Sequence, residues 1–143
     1  LTEVKDGSAE SYTYTVDTLG KYAYKVKAYG KVNGHRVTGT RSAAKSVIVR
    51  PNTTIFSLQA GKGKITVSWS PQEGVDGYVV YKATSTEGTY KAAAKFEGSS
   101  TRKYVDTKVT VGKTYYYKVK AYVLVNGNKC FEQSNNYSSA AAK

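Results

Sequence analysis

The chain has 143 residues, enough for one ordinary domain or for one small sandwich plus a fragment. Fourteen Tyr and 13 Gly stand against two Pro, no Met and one Trp, a balance that favours short strands joined by turns, and no apolar run reaches the ~18–20 residues a membrane helix needs. The 22 Lys and Arg against 10 Asp and Glu leave a net charge of +12, divided as +5 over residues 1–50 and +7 over 51–143, which describes a solvated surface with Lys-blunted strand edges rather than a nucleic-acid footprint.

Taken in chain order, the first informative segment is Gly20-Lys21, followed by Tyr24-Lys25-Val26-Lys27-Ala28-Tyr29 and the turn Val32-Asn33-Gly34. Val49-Arg50-Pro51-Asn52-Thr53 reads as a linker, because Pro51 donates to no ladder and holds its predecessor extended. Ile55–Leu58 reads as a short edge strand and Gly61-Lys62-Gly63 as a turn. Ile65, Val67 and Trp69 alternate with Thr66, Ser68 and Ser70, the period of a half-buried strand. After a turn at Pro71–Gly74 come strands at Tyr78–Tyr81, Tyr90–Phe96 and Lys103–Thr107, separated by Gly88 and Gly98. Ala92–Ala94 and Ala140–Ala142 lean towards helix but are too short to stand as helices.

The longest strand is expected over Thr114–Val125. Tyr115, Tyr117, Val119 and Ala121 lie on one face; Tyr116, Lys118, Lys120 and Tyr122 lie on the other. The Lys-bearing face meets water, so the first face meets a core. Asn126-Gly127 supplies the positive φ angles of a type I′ hairpin, and the chain returns through Lys129–Phe131.

At this strand the sequence repeats itself. Tyr117-Lys118-Val119-Lys120-Ala121-Tyr122 reproduces residues 24–29 at an offset of 93, and Val125-Asn126-Gly127 reproduces 32–34 at the same offset. Gly112-Lys113 and Tyr104 match Gly20-Lys21 and Tyr12 at 92, so one extra residue sits between Lys113 and Tyr117. The second copy is whole. The first has only its back half, since the counterparts of Lys64–Lys82 would precede residue 1. With a first residue other than Met and no charged-then-apolar leader, the chain is expected to be a piece of something longer.

Residues 53–143 resemble a fibronectin type III domain of the kind strung along bacterial surface and secreted proteins. The resemblance rests on Ile65-Thr66-Val67-Ser68-Trp69-Ser70-Pro71, Val75-Asp76-Gly77-Tyr78-Val79-Val80-Tyr81, Tyr104-Val105-Asp106 and Gly112–Ala121. It implies an all-β, antiparallel immunoglobulin-like sandwich. The organisation is then a C-terminal half domain over 1–49, a linker over 50–52 and a complete domain over 53–143. The family's buried Trp falls on Trp69 and its tyrosine corner on Tyr115, with Tyr22 in that role in the first copy. The expected core is Trp69, Tyr78, Val80, Tyr115, Tyr117 and Val119, with Tyr22, Tyr24 and Val26 as the first-copy stripe. The Arg-Gly-Asp of the best-known adhesion version is absent: the corresponding loops read Asn33-Gly34-His35-Arg36 and Asn126-Gly127-Asn128-Lys129.

The half domain poses a problem, because the Tyr22, Tyr24, Val26, Ala28 stripe lacks its opposite sheet, and each uncovered side chain forgoes about 1.5–3 kcal/mol. Two explanations stand open: missing strands belonging to a longer chain, or self-association through the open face.

Residues able to do chemistry are few. His35 cannot supply a two-His zinc site, Cys130 has no intrachain partner, and Ser8, Ser42 and Ser99 lack a nucleophile-elbow context. Gly61-Lys62-Gly63-Lys64 precedes a strand, not a helix, so it is no phosphate loop. Glu73, Asp76 and Asp106 read as solvated turn acids. No catalysis, cofactor or metal is therefore expected. The leading function is a structural spacer module of an extracellular or cell-surface protein, with neighbouring domains as partners. The alternative is binding of anionic glycans, wall polymers or another protein through a Lys/Tyr face made of Lys118, Lys120, Tyr122 and Tyr81, with Lys25, Lys27 and Tyr29 in the first copy.

Overall fold

The computed structural model describes residues 2–143, and every element among them is a β-strand. The first four are β1 (Gly20–Tyr24), β2 (Tyr29–Val32), β3 (His35–Thr38) and β4 (Lys45–Val49). Eight more follow: β5 (Phe56–Gly61), β6 (Lys64–Trp69), β7 (Gly77–Ala83), β8 (Lys91–Glu97), β9 (Lys103–Asp106), β10 (Thr114–Val125), β11 (Asn128–Phe131) and β12 (Ser138–Ala141). Among the described residues no helix is long and apolar enough to cross a membrane.

Residues 53–143 form a two-layer sandwich. One sheet runs β5-β6-β9; the other runs β8-β7-β10-β11, with β12 also on β10, and all pairs are antiparallel. The long strand β10 holds the second sheet together. One of its edges pairs with β7 over residues 116–122; the other is shared by β12 at 114–117 and β11 at 122–125. The expected alternation holds along it: Tyr115, Tyr117, Val119 and Ala121 are buried. They meet Ile65, Val67 and Trp69 from β6 and Tyr78 and Val80 from β7 in one core. The single indole packs 5.5 Å from both Tyr78 and Phe96, ring centre to ring centre, so it sits where the two layers face each other. The two alanine runs lie in β8 and at β12, where cross-strand pairing overrides a weak helix preference.

The tyrosine corners differ in reach. Tyr115 Oη accepts the Thr110 N–H, five residues upstream, at 3.0 Å, whereas Tyr22 Oη donates to the Thr18 carbonyl, four upstream, at 2.8 Å. The extra residue between Lys113 and Tyr117 accounts for the difference in span.

Residues 2–49 depart from the expected strand pattern. The hexapeptide that runs unbroken through β10 splits in the first copy into β1 and β2, with residues 25–28 outside any ladder. The difference lies in the neighbour: residues 118–121 are held by β7, while among the described residues no strand pairs with 25–28 on that side. The hairpin end keeps its geometry: Asn33 and Gly34 have φ of 50° and 78°, against 52° and 78° at Asn126 and Gly127.

The linker is fastened to the sandwich. Pro51 is buried, the Arg50 guanidinium donates to the Phe131 carbonyl at 3.0 Å, and Gln72 Nε2 donates to the Asn52 carbonyl at 3.0 Å. The buried Glu132 carboxylate accepts from the Thr54 N–H at 2.8 Å, the Thr54 hydroxyl and the Ala121 N–H, while its other oxygen takes the Ser134 hydroxyl. Leu19 packs against the core from the first-copy side.

Candidate functional site

The outward face of the β8-β7-β10-β11 sheet carries four of the expected ligand-face residues. Lys118 faces Tyr81 across the ladder and Lys120 faces Val79. Both lysines are half-buried rather than free. Lys118 Nζ lies 4.1 Å above the centre of the Tyr90 ring, and Lys129 Nζ lies 4.2 Å above that of Tyr122. Tyr81 stands edge-on to Phe131 at 6.5 Å, and Phe131 stands edge-on to Tyr122 at 5.7 Å. Burial pushes the Tyr81 phenol above its ordinary pKa, so it stays neutral near pH 7.

Tyr122 requires a correction. Its parity along β10 placed it on a solvated face, but it is 2 % exposed. Gly77 lies opposite it, and a Cβ there would come within 2.6 Å of the Tyr122 hydroxyl and 2.1 Å of the Phe96 carbonyl oxygen. The ring occupies the space that Gly77 leaves, and Phe131 and Lys129 cover its other side. Val79 is buried on the same face, flanked across the ladders by Lys120 and Lys95.

The first-copy counterparts do not form a matching face. Lys25 and Lys27 lie in the strandless stretch and are exposed. Tyr29 begins β2, half-buried beneath the Arg36 guanidinium, which sits 4.0 Å above its ring and also pairs with Glu3 at 3.2 Å. Tyr24 and Val26, expected to face a core, are exposed because no opposing sheet covers them, and Tyr22 is half-buried.

Two buried ionic groups were not anticipated. Its place after a strand suggests a solvated turn acid, but Asp106 is 1 % exposed and accepts from Lys82 Nζ at 2.7 Å, the Tyr117 hydroxyl at 2.8 Å and the Lys108 N–H at 2.9 Å. Burial pushes its carboxyl up, but the bonds from Lys82, Tyr117 and Lys108 outweigh burial and hold it below the usual carboxylate range. Burial, reinforced by the same carboxylate, raises the Tyr117 phenol strongly. The signal was available in the sequence: Tyr78, Val80 and Lys82 share a parity, so a cation sits on a core-facing stripe and needs an anion. Glu132 gave no such signal, because it follows the strand β11 in an irregular segment. Asp76 accepts the Leu124 N–H at 2.6 Å and so serves the backbone of β10.

These carboxylates do not converge. Among the described residues no three His, Cys, Asp or Glu side chains approach closely enough to hold a metal ion, and His35 and Cys130 lie on different hairpins. The arrangement offers a packed aromatic surface on which Lys118 and Lys129 sit over rings, and a linker held by hydrogen bonds.

A family model described as fibronectin type III domain, SaeA third domain, matches residues 53–138. The amylopullulanase of Thermoanaerobacter thermohydrosulfuricus is 29% identical over 125 residues, covering 76% of this chain and 8% of that protein. The amylopullulanase of Thermoanaerobacterium saccharolyticum is 36% identical over 63 residues, covering 43% of this chain and 5% of that protein. The chain thus spans less than a tenth of either relative. Among solved structures, the pectate lyase Pel3 from Pectobacterium carotovorum aligns with a TM-score of 0.52 at 24% identity, over 64% of this chain and 27% of that one, a likeness of fold alone.

Proposed function

The chain belongs to the fibronectin type III family, and from that premise we propose that it is a non-catalytic spacer inside a larger extracellular or cell-surface protein, with residues 2–49 the back half of a second copy of the same domain. The observation that carries the reading is the fastened linker. Arg50, Asn52 and Thr54 are each tied to the sandwich through Phe131, Gln72 and Glu132, and Pro51 is buried. A junction held at these points limits bending, which is what a spacer needs and a flexible tether lacks. Relatives that carry a matching stretch as a small fraction of their length support placement in a multidomain chain. The half-copy is supported by register: Tyr22 opposes Val47 as Tyr115 opposes Ala140, and His35 follows its turn as Asn128 does, all at an offset of 93.

Deletion of this stretch from the protein that carries it tests the reading. A shorter particle in solution scattering, with ligand affinity and catalysis intact, is the expected result; loss of affinity for an anionic polymer would favour the binding alternative. That alternative draws on Tyr81 and Lys120, which remain partly open on the sheet face. Lys118→Glu with Lys120→Glu would then weaken retention on such polymers and flatten its salt dependence.

A further inference from the structure

No run of basic residues marks the charge excess in the sequence, but the fold collects part of it at one end of the sandwich. Lys62 lies in the β5–β6 turn and Lys64 begins β6; Lys108 and Lys113 lie in the β9–β10 loop; all four are exposed. Main-chain bonds tie these segments together beside the end of β12. Gly63 N–H donates to the Lys143 carbonyl at 2.6 Å, Gly112 N–H to the Ala142 carbonyl at 2.9 Å and Ala142 N–H to the Lys113 carbonyl at 2.9 Å. The Lys108 carbonyl accepts from the mostly buried Lys82 ammonium at 2.6 Å, which fixes the other side of the loop. Among the described residues none of the four exposed ammonium groups pairs with a carboxylate. Of the exposed acids in 53–143, Glu73, Asp76 and Glu97 lie at the opposite end, around Gly77, and only Glu87, in the β7–β8 turn, shares the lysine end. A following domain leaves such a lysine free. Lys21 is the counterpart of Lys113 at the offset of 92, and its loop does meet the next domain, since a Cβ on Gly74 would lie 3.8 Å from Leu19; Lys21 is exposed all the same.

We infer that Lys62, Lys64, Lys108 and Lys113 form a binding site for a linear phosphate polymer. Charge complementarity selects a polyanion, and the composition of the turns selects its kind. No aromatic residue occurs in 61–64 or 107–114, so neither a nucleobase nor a sugar ring finds a stacking partner there. Ammonium groups on flexible stems are compact point charges, which suit closely spaced anionic groups of no fixed geometry. The planar guanidinium of Arg102, better matched to a rigid bidentate acid, belongs to the other end, where the Trp69 N–H donates to the Arg102 carbonyl at 2.9 Å. Phosphates neutralised together release counterions together, so an attraction that is weak at one lysine accumulates over four. The site is separate from the Lys118 and Lys120 face and does not require the spacer role.

The experiment titrates the full chain with inorganic polyphosphate over a series of salt concentrations, with oligogalacturonate and single-stranded DNA of equal charge as comparison ligands. Polyphosphate is expected to bind most tightly, and log K against log salt to fall with a slope of about −3, the value for four neutralised charges on a flexible chain. Lys62→Gln with Lys113→Gln is expected to weaken binding at least ~10-fold and to halve the slope. Both side chains are exposed and their segments are tied by main-chain bonds, so the urea midpoint read by Trp69 fluorescence stays in place. Two pairs that remove the same charge elsewhere, Lys31→Gln with Lys45→Gln and Lys118→Gln with Lys120→Gln, are expected to leave binding within about twofold. Equal loss in all three pairs overturns the inference, because net charge alone would then act. Loss confined to the Lys118 and Lys120 pair overturns it in favour of the strand face, and tighter binding of DNA or oligogalacturonate than of polyphosphate overturns the choice of ligand. Absence of polyphosphate binding at low salt overturns the site itself while leaving the spacer reading intact.

Discussion

Asp106 is the buried charge on which the sandwich depends most visibly, and its removal has a calculable cost. Asp106→Ala leaves three donors without an acceptor: the Tyr117 hydroxyl, fully buried; the Lys82 ammonium, mostly buried; and the Lys108 N–H. Breaking one side of a buried ion pair costs about 3–5 kcal/mol, and an orphaned buried hydroxyl adds about 1–3 kcal/mol, partly offset by water entering the gap. A net loss of about 4 kcal/mol is expected, a large share of a small domain's stability. Urea unfolding monitored by Trp69 fluorescence reads it. Asp106 also supplies a pH dependence. Its folded pKa lies below the unfolded value of about 3.9, so its contribution is complete above that value and is lost as pH falls through the folded pKa. Asp106→Asn is expected to remove that acid-limb slope while costing less than the alanine. A loss under 1 kcal/mol for Asp106→Ala, with the acid limb unchanged, would refute the reasoning.

Gly77→Ala forces a Cβ against the Phe96 carbonyl and the Tyr122 ring, and a destabilisation of about 2–4 kcal/mol with disturbed aromatic signals is expected by thermal unfolding and proton NMR. Val119→Ala empties a fully packed site and costs about 2 kcal/mol, whereas the identical change at Val26 stays within ~0.5 kcal/mol; paired denaturant titrations compare them. Tyr115→Phe leaves the Thr110 N–H without its acceptor and costs about 1 kcal/mol, read as a shift in the urea midpoint at constant slope.

Alternation made most of the sandwich legible. Ile65, Val67 and Trp69, and Tyr115, Tyr117 and Val119, declared their inward faces by period, and Asn126-Gly127 declared the hairpin by its turn chemistry. What alternation cannot carry is the neighbour across the ladder. Tyr122 has outward parity but is buried because Gly77 opposite it has no side chain and Phe131 flanks it. The break at 25–28 is likewise invisible locally, because the same six residues form a continuous strand once β7 lies beside them. Asp106 was hidden for a different reason. Its partner Lys82 is 24 residues upstream, and only the shared parity of Tyr78, Val80 and Lys82 points at a buried pair. The ligand-face lysines follow from pattern, but the ring beneath Lys118 is Tyr90, from the loop before β8, so pattern alone could not show that this ammonium group is already engaged.

The most direct measurement is residue-resolved amide exchange on the unaltered chain, comparing the two copies of Tyr-Lys-Val-Lys-Ala-Tyr. Residues 117–122 are expected to open only with global unfolding, while Lys25, Lys27 and Ala28, outside any ladder, exchange within about tenfold of unfolded-chain rates. Equal protection of the two segments would contradict an account in which 117–122 is held between two neighbouring strands and 25–28 lies outside any ladder.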